Sequence, residues 1–442
     1  GIANLLWAMA KMVDNGLEKT PKLKEAVAAL LPHVKTKAEA KGEKDHFKPQ
    51  EVANLLWAMA KLVEKGLEKT AKLKEAVAAL LPLVKTKAES TEEKDHFNPQ
   101  EVANLLWALA RLVENGLELE KTPQLKDAVA ALLPRVKTKA KSKEERDHFN
   151  PQEVTNLMWA MAKLVDNGLE KTAKLKEAVA VLLSYVKTRA ESKQAKVLFI
   201  PQHITSLLWA VAKLVDNGLE KTAKLKEVVA VLLPRVKAKA ESKEEKDHFT
   251  SQHIASLLWA LAKLVDNGLE LEKTAKLKEV VAALLPRVKA KAKSKVDHFK
   301  PQEVTNLLCA MAKLVDNGLE LEKTPKLKEA VAALLPHVKT KAESKEEKDH
   351  FIPQHIVNLL WALTKLVDSG LEKTAKLKAV VAALLPHVKT KAESKEERDH
   401  FSTQGTTNLL WALAKLWDNG LELEKTAKLK AVVAALLPHV KT

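Results

Sequence analysis

Three polar positions recur at nearly constant spacing along the chain, and their side chains are the ones best suited to bind a partner. In one copy they are Glu51, Asn54 and Lys61; elsewhere the first is Glu, His or Gly, the second Asn or Ser, and the third always Lys or Arg. A cation can neutralise phosphate, while carboxylate, imidazole, amide and hydroxyl groups can hydrogen-bond to base edges. The pattern predicts a modular reader of a linear polyanion.

The residues that this hypothesis selects fall into two sets. The candidate base-reading residues are Glu51, Asn54, Glu101, Asn104, Glu153, Asn156, His203, Ser206, His253, Ser256, Glu303, Asn306, His355, Asn358 and Asn408. The candidate phosphate-binding residues are Lys11, Lys61, Arg111, Lys163, Lys213, Lys263, Lys313, Lys365 and Lys415.

The first of the three positions has a structural alternative. Glu51 would occupy the third residue of a helix, where a carboxylate can complete a capping box, and Asn98 followed by Glu101 fits that arrangement well. Ile200 and Ile352, however, precede histidines at this position and have no capping chemistry. Losing a cap typically costs about 1 kcal/mol, so capping alone does not explain the pattern. Base recognition and capping combined with drift between copies both stay open.

No motif for catalysis or for a bound cofactor or metal is visible. There is no Gly-rich phosphate loop, nucleophile motif or convergent carboxylate pair, so we expect no enzyme and no cofactor. The repeated Asp-His-Phe triplet, as at Asp95, fits a turn better than a metal site, because copies one repeat apart are too distant to share an ion. The single cysteine, Cys309, excludes Cys-based metal sites and suits a reducing, intracellular compartment.

The elements that position these residues come from an internal repeat. One slot holds Trp in eight copies and Cys in one, at spacings of 50 or 52 residues: Trp7, Trp57, Trp107, Trp159, Trp209, Trp259, Cys309, Trp361 and Trp411. The longer units carry an extra Leu-Glu, as at Leu119 and Glu120, in a loop. We predict an all-α fold, a right-handed α-solenoid of nine tandem helix pairs occupying 1–442 as one body. The repeats are 1–45, 46–95, 96–147, 148–197, 198–247, 248–297, 298–349, 350–399 and 400–442.

Each repeat is predicted to contain two helices and a charged connector. In the second copy, Lys48 is the N-cap of the first helix, Pro49 its first residue and Gly66 its stop. Thr70 is the N-cap of the second helix, and Pro82 ends or kinks it. The following KTKAES segment is either a short exposed helix or a charged linker. Both ends of the chain fall within a repeat, so we expect a fragment of a longer array.

A helical wheel assigns the faces of the first helix. Glu51, Asn54, Ala58 and Lys61 form one exposed stripe, whereas Trp57 suits packing against the next repeat better than stacking on bases. One position of the second helix changes type freely and is interpreted as surface variation. It reads His33, Leu83, Arg135, Tyr185, Arg235, Arg287, His337, His387 and His439.

The charge balance favours acidic partners. The chain has 74 Lys and Arg against 57 Asp and Glu, which gives +17 at pH 7. Such an excess favours nucleic acid first and an anionic membrane surface second, although a well-solvated helical surface would also produce it. No apolar run approaches the roughly 18 residues of a membrane span.

The core of the first helix resembles two known repeat families. The stretch PQEVANLLWALARL (99–112), repeated as PQEVTNLLCAMAKL (301–314) and TQGTTNLLWALAKL (403–416), is similar to octotricopeptide repeats. It also resembles the SKWP-type repeats of large effectors from plant-pathogenic bacteria, whose armadillo-like units have an Asn-x-Leu-x-Ala-Leu-Ser-Lys core. The first resemblance implies RNA binding, about one nucleotide per unit, in organellar and some bacterial proteins. The second implies delivery into a host cell.

These observations predict a scaffold that binds single-stranded RNA, with DNA as a possible substitute, in a basic concave groove lined by the first helices. The alternative is an armadillo-like solenoid that binds an acidic, extended segment of a protein partner. Docking on an anionic membrane is a third hypothesis.

Overall fold

The computed structural model of the protein is almost entirely helical. It describes residues 1–440 except 41–46, 120–121, 143, 145–147, 193–198, 270–274, 295–298, 320–323, 347–349, 395, 397–399 and 422–426. Helices account for 78% of the chain, and the described residues contain eighteen α-helices and no strand. The all-α prediction is therefore confirmed.

The helices alternate between two types, which we call A (the first of each repeat, odd numbers) and B (the second, even numbers). The A helices are α1 (Ile2–Asp14), α3 (Pro49–Glu64), α5 (Pro99–Glu114), α7 (Pro151–Asp166), α9 (Pro201–Asp216), α11 (Ser251–Asp266), α13 (Pro301–Asp316), α15 (Pro353–Asp368) and α17 (Thr403–Asp418). The B helices are α2 (Pro21–Ala38), α4 (Ala71–Glu89), α6 (Pro123–Lys141), α8 (Ala173–Glu191), α10 (Ala223–Glu241), α12 (Ala275–Lys293), α14 (Pro325–Glu343), α16 (Ala375–Ala392) and α18 (Ala427–Leu436).

The A helices begin and end where the sequence predicts. In α3, Lys48 is the N-cap, and Pro49, which lacks an N–H, takes the first position, where no helical partner is needed. Just beyond the helix, Gly66 has φ +90°, a left-handed conformation that side chains strongly disfavour. Its N–H bonds to the Val63 carbonyl and so closes the last turn.

The B helices are longer than predicted. Thr70 caps α4, because its hydroxyl accepts from the Leu73 N–H, as the sequence predicts. Pro82, however, neither ends nor interrupts the helix, which continues through the KTKAE segment to Glu89. Both Pro82 and Ala78, whose carbonyl loses its helical donor, lie on the exposed side. The unpaired carbonyl is therefore not buried, and the cost of the proline is reduced.

The helices pack in series and form two layers. A helices lie on A helices and B helices on B helices, from α1 to α8 and again from α11 to α18. The core consists of Leu, Val and Ala side chains, joined by a buried phenylalanine before each A helix from Phe47 to Phe401. This serial packing is that of an α-solenoid, in which each repeat buries its apolar faces against its neighbours.

The chain divides into two compact units. The first comprises Gly1–Phe199 and Lys213–Val231, and the second Ile200–Ala212 and Leu232–Thr442, so α9 and α10 contribute to both. The continuity of one solenoid over 1–442, and its right-handedness, stay predictions.

In five of its nine copies, the variable position of the B helices makes a structural contact with the preceding B helix. The Arg135 guanidinium donates to the carbonyls of Ala88 and Ser90 at the end of the preceding B helix, at 2.6 Å each. In Arg287 the same arrangement recurs, and the imidazoles of His337, His387 and His439 reach equivalent carbonyls. These side chains satisfy the last carbonyls of a neighbouring helix, which would otherwise lack donors. The interpretation as surface variation is therefore wrong for Arg135, Arg287, His337, His387 and His439.

Two other sequence predictions concern loops. The Leu-Glu insertion lies between α5 and α6, as predicted; Leu119 is buried, whereas Glu120 and the other insertions lie outside the described residues. The Asp-His-Phe triplet forms a turn, in which the Asp95 carboxylate accepts from Lys87 (3.0 Å) and Ser90 (3.3 Å). Within the described ranges, no group of His, Cys, Asp or Glu could hold a metal ion. No described helix is long and apolar enough to span a membrane.

Capping can be tested at an A helix that is preceded by an exposed isoleucine. Ile352 precedes α15 and makes no side-chain cap. Ile352→Asn should stabilise the first turn by about 1 kcal/mol, because its amide oxygen can accept from the N–H of His355. Hydrogen exchange of the first-turn amides would measure this as slower opening. Ile352→Ala is the control, and equal exchange in both variants would contradict the prediction.

Candidate functional site

The glutamates at the first predicted site position serve as helix caps. In α3, α5, α7 and α13 the carboxylate at the third helical residue accepts from the N-cap N–H at 2.8–3.0 Å. These residues are Glu51, Glu101, Glu153 and Glu303. Burial raises the pKa of Glu101 and Glu153, while the bond from the N-cap N–H opposes that rise. The capping alternative is thus present in the structure, and recognition of bases by these groups stays a prediction.

The histidines at the same position are largely buried. His203 is 8% exposed. The rings of His253 and His355 lie edge-on to Phe249 and Phe351, with centroids 6.5 and 6.3 Å apart. Thr250 donates its N–H to Nδ1 of His253 at 3.4 Å, whereas Nδ1 of His355 is buried without a partner in the described structure. Burial lowers the pKa of both His253 and His355.

The cations at the third position take part in an ion-pair ladder between A helices. Lys61 pairs with Asp14 of the preceding A helix at 3.5 Å and with Glu64 of its own helix at 3.2 Å. Arg111 bonds in the same way to Glu64 and Glu114. The ladder continues with Lys163–Glu114, Lys213–Asp166, Lys313–Asp266 and Lys365–Asp316. The candidate phosphate-binding groups named here therefore already have carboxylate partners.

The tryptophans form a second row beside this ladder. Their rings contact the neighbouring repeat: the Trp7 and Trp57 centroids lie 6.5 Å apart, and those of Trp209 and Trp259 lie 6.2 Å apart. A cation of one repeat lies over the tryptophan ring of the next: Nζ of Lys11 is 4.8 Å from the Trp57 centroid. The same holds for Lys61 on Trp107 and Arg111 on Trp159. These contacts support packing between repeats, although the rings are only half-buried.

The exposed stripe of the A helix differs from the predicted one. Ala58 is fully buried, and Trp57 lies partly exposed instead. Gln50, Asn54, Trp57 and Lys61 lie within about 60° of one another at 100° per residue. The wheel placed Ala58 in the exposed stripe, but the packed repeats bury it completely.

Sequence reasoning missed the glutamine of this stripe. It is exposed in every described copy, and its identity in eight repeats was the available signal: Gln50, Gln100, Gln152, Gln202, Gln252, Gln302, Gln354 and Gln404. In α15 the Gln354 amide donates to Oδ1 of Asn358 at 2.9 Å. Both amides therefore face the same space.

The amides of the stripe line a polar groove in the first unit. Its volume is about 320 Å³. The lining residues are Trp7, Lys11, Gln50, Asn54, Trp57, Asn98, Gln100, Glu101 and Asn104. The amide groups of Asn54, Asn104, Asn156 and Asn306 form no hydrogen bond with any described residue. We call these side chains, with their counterparts Ser206 and Ser256, the amide row.

The charge of the chain is divided unequally between the two helix types. Every A helix has a net charge of zero or −1, because each contains one Lys or Arg and one or two Asp or Glu residues. The B helices each carry +2 to +5. The groove-lining helices are therefore not the source of the positive excess, contrary to the sequence prediction of a basic A-helix groove.

Known sequences resemble this chain only in part. The family described as "Protein of unknown function (DUF1601)" matches residues 45–56, 95–106, 147–158 and 295–308, each around the start of an A helix. Four matches at equivalent positions confirm a helical repeat protein. No curated protein matches the chain.

Solved structures with similar folds are distant. A circular tandem repeat protein is 12% identical with TM-score 0.31, over 95% of this chain and 98% of its own. The NOT1 superfamily homology domain from Chaetomium thermophilum is 11% identical with TM-score 0.22, over 100% and 96%. A chain of the Pds5–Scc1 complex is 10% identical with TM-score 0.23, over 99% and 71%. At TM-scores this low, none of the three bears on the function of this chain.

The buried histidines predict a pH dependence of stability. Burial lowers the pKa of His253 and His355 in the folded chain. Below about pH 6.5 the unfolded chain therefore binds more protons at these two residues than the folded chain does. The free energy of unfolding of the second unit should therefore decrease on acidification, by at most about 1.4 kcal/mol per pH unit and histidine. His253→Gln combined with His355→Gln should flatten this dependence between pH 7.5 and 5.5 in urea denaturation. His33→Gln, at an exposed site, is the control; unchanged slopes in the double variant would contradict the prediction.

The cysteine in the tryptophan slot should be unreactive. Its thiol lies 3.3 Å from the Asn358 carbonyl, and burial raises the pKa of Cys309 to about 12. Only the thiolate reacts, so labelling by a thiol reagent at pH 8 should be at least roughly 100-fold slower than in urea-unfolded protein. Similar rates in both states would show that the thiol is accessible.

Proposed function

We propose that the A-helix face binds an extended polypeptide chain through its main chain, with one contact set per repeat. The observation that carries this proposal is the amide row, because its side chains are partly exposed and the amides of Asn54, Asn104, Asn156 and Asn306 have no hydrogen-bond partner in the described structure. The other polar groups of the face are already occupied, the glutamates by caps and most of the cations by ion pairs.

An asparagine amide is the natural complement of a peptide group. It offers donors and an acceptor, as a peptide N–H and C=O require. The spacing of repeats also suits an extended ligand: packed helices lie roughly 8–10 Å apart, and about three residues of an extended chain span that distance. About every third residue of the ligand would thus meet the amide row, while side chains of the ligand would lie against the half-exposed tryptophans.

Charge favours a polypeptide over nucleic acid in this groove. Phosphate binding requires cations that are free to exchange their counterions for the ligand. Here Lys61, Arg111 and Lys163 would have to leave carboxylates of the ladder, and the A helices carry no positive excess. The resemblance to octotricopeptide and SKWP-type repeats supports repeat-by-repeat recognition of a linear polymer, and single-stranded RNA is the competing candidate. We propose a binding scaffold and no catalytic role.

The test uses an array of random twelve-residue peptides probed with the full chain, followed by titration of the strongest binder. Replacing Asn54, Asn104 and Asn156 by Ala should weaken binding on the order of 100-fold, since each lost hydrogen bond contributes roughly 1 kcal/mol. The matched control replaces Thr36, Thr86 and Thr138 by Ala, three exposed residues of the B helices, and should retain full affinity.

Two further measurements identify what the groove recognises. N-methylation of single backbone amides along the peptide should abolish binding at about every third residue and spare the residues between them, because only those residues face the amide row. Affinity should change little between 50 and 300 mM NaCl. Peptide binding that is indifferent to N-methylation would refute main-chain recognition. Binding of a 12-nucleotide RNA with a steep salt dependence, lost in the asparagine variant, would establish the competing candidate.

A further inference from the structure

The B helices carry a row of exposed lysines near their N-termini. It occupies the second residue of the B helices and is exposed in α2 to α16: Lys22, Lys72, Lys174, Lys224, Lys276, Lys326 and Lys376, with Gln124 in one copy. No ammonium of this row lies within salt-bridge distance of a carboxylate in the described part of the chain. We call these residues the B-helix lysine row.

Neighbouring lysines show what a structural role looks like here. Three residues before the row, Lys69 donates to the Asn115 carbonyl at the end of the next A helix. Two residues after it, Lys74 pairs with Glu118 of the next repeat at 2.6 Å. The same two contacts recur at Lys171 and Lys176. In these two clusters of three lysines, the flanking two thus join adjacent repeats and the middle one does not.

The position of the row is unfavourable for helix stability. A cation in the first turn opposes the helix dipole, whose positive end lies there. Helix capping is already supplied by threonines such as Thr70 and Thr172. Lys276 and Lys326 attract Glu279 and Glu329 of their own helices, but neither forms a salt bridge, and the position does not favour helix formation. An external anion would explain why eight of the nine repeats place lysine at this point.

We infer that the B-helix face binds double-stranded nucleic acid through its phosphates, without reading sequence. This inference is independent of the peptide groove, since it concerns the other helix layer. Within each compact unit, adjacent packed helices lie roughly 8–10 Å apart, and each strand of a duplex carries one phosphate for about every 3.4 Å of its axis, so phosphates are spaced more closely than the lysines. The net charge of +2 to +5 on each B helix supplies a field of matching sign.

The chemistry of the face favours a duplex over the other polyanions. Single-strand binders stack bases on exposed aromatic rings, and the described B helices expose no Trp, Tyr or Phe. Docking on an anionic membrane is strengthened by apolar side chains that insert, and α2 to α16 expose no large apolar residue in their described parts. A duplex requires neither feature, because its charge density alone drives binding through counterion release.

The test measures binding of a fluorescent 30-base-pair DNA duplex to the full chain between 50 and 300 mM NaCl. Lys72→Gln, Lys174→Gln and Lys224→Gln together should weaken binding at least tenfold at 150 mM. They should also reduce the slope of log affinity against log salt by roughly 2 to 3, about 0.9 per lysine. Duplexes of unrelated sequence should bind alike.

The matched control makes the same charge change on the same layer. Lys35, Lys85 and Lys137 are B-helix lysines already paired with Glu75, Asp127 and Glu177 at 2.6–3.0 Å. Replacing these three by Gln should reduce affinity clearly less than the row variant, because their charge is locally neutralised. Equal losses of affinity in the two variants would show that only the net charge of the chain matters, and would overturn the proposed role of the B-helix lysine row.

Other outcomes separate the possible ligands. Tighter binding of a 30-nucleotide oligothymidine than of the duplex would overturn the preference for double strands. Binding to phosphatidylserine vesicles with the same dependence on the row, and none to the duplex, would replace nucleic acid by a membrane. The groove variant with Asn54, Asn104 and Asn156 replaced by Ala should bind the duplex normally, so the two proposals fail independently.

Discussion

Stacking of like helices is the constraint on which the rest of this structure depends. A single pair such as α5 and α6 exposes apolar side chains on both flanks, and they become buried only when α3, α4, α7 and α8 lie beside them. Because each repeat repeats the same faces, every side chain acquires a counterpart one repeat away. A polar contact that forms between one pair of adjacent repeats can therefore form between the next pair as well, and such contacts recur along the unit as rows.

The polar residues of these rows fall into two groups: those that contact a neighbouring repeat and those that do not. Arg135 and His337 close the end of a neighbouring helix, and Lys61 joins two A helices through Asp14. Such residues are recognisable in the coordinates because each has a partner at a fixed offset of one repeat. Asn104 and Lys174 are equally regular but lack a partner in the described structure. Regularity without a structural contact is what distinguishes a candidate binding residue from a packing residue here.

The two helix layers consequently differ in chemistry. The A layer combines amides, half-exposed indoles and balanced charges, which suits a neutral, hydrogen-bonding ligand such as a peptide main chain. The B layer combines exposed lysines with a net positive charge on every helix, which suits a polyanion. A solenoid can present both faces at once, because neither layer needs its outward side chains for the core.

The sequence by itself determined the helical repeat, the helix starts at Pro49 and Thr70, the stop at Gly66 and the excess of positive charge, since periodicity, capping residues and composition are local properties. The sequence could not determine which of the positive side chains pair with carboxylates and which lie exposed. Lys61 and Lys72 are the same residue type, but the stacking of repeats brings Asp14 to Lys61 and leaves Lys72 exposed. The same applies to Glu101, which caps its helix, and to Ala58, which the neighbouring repeat encloses. Tertiary structure decided these cases, because the partner in each contact or the burying surface depends on packed geometry that the spacing of residues does not specify.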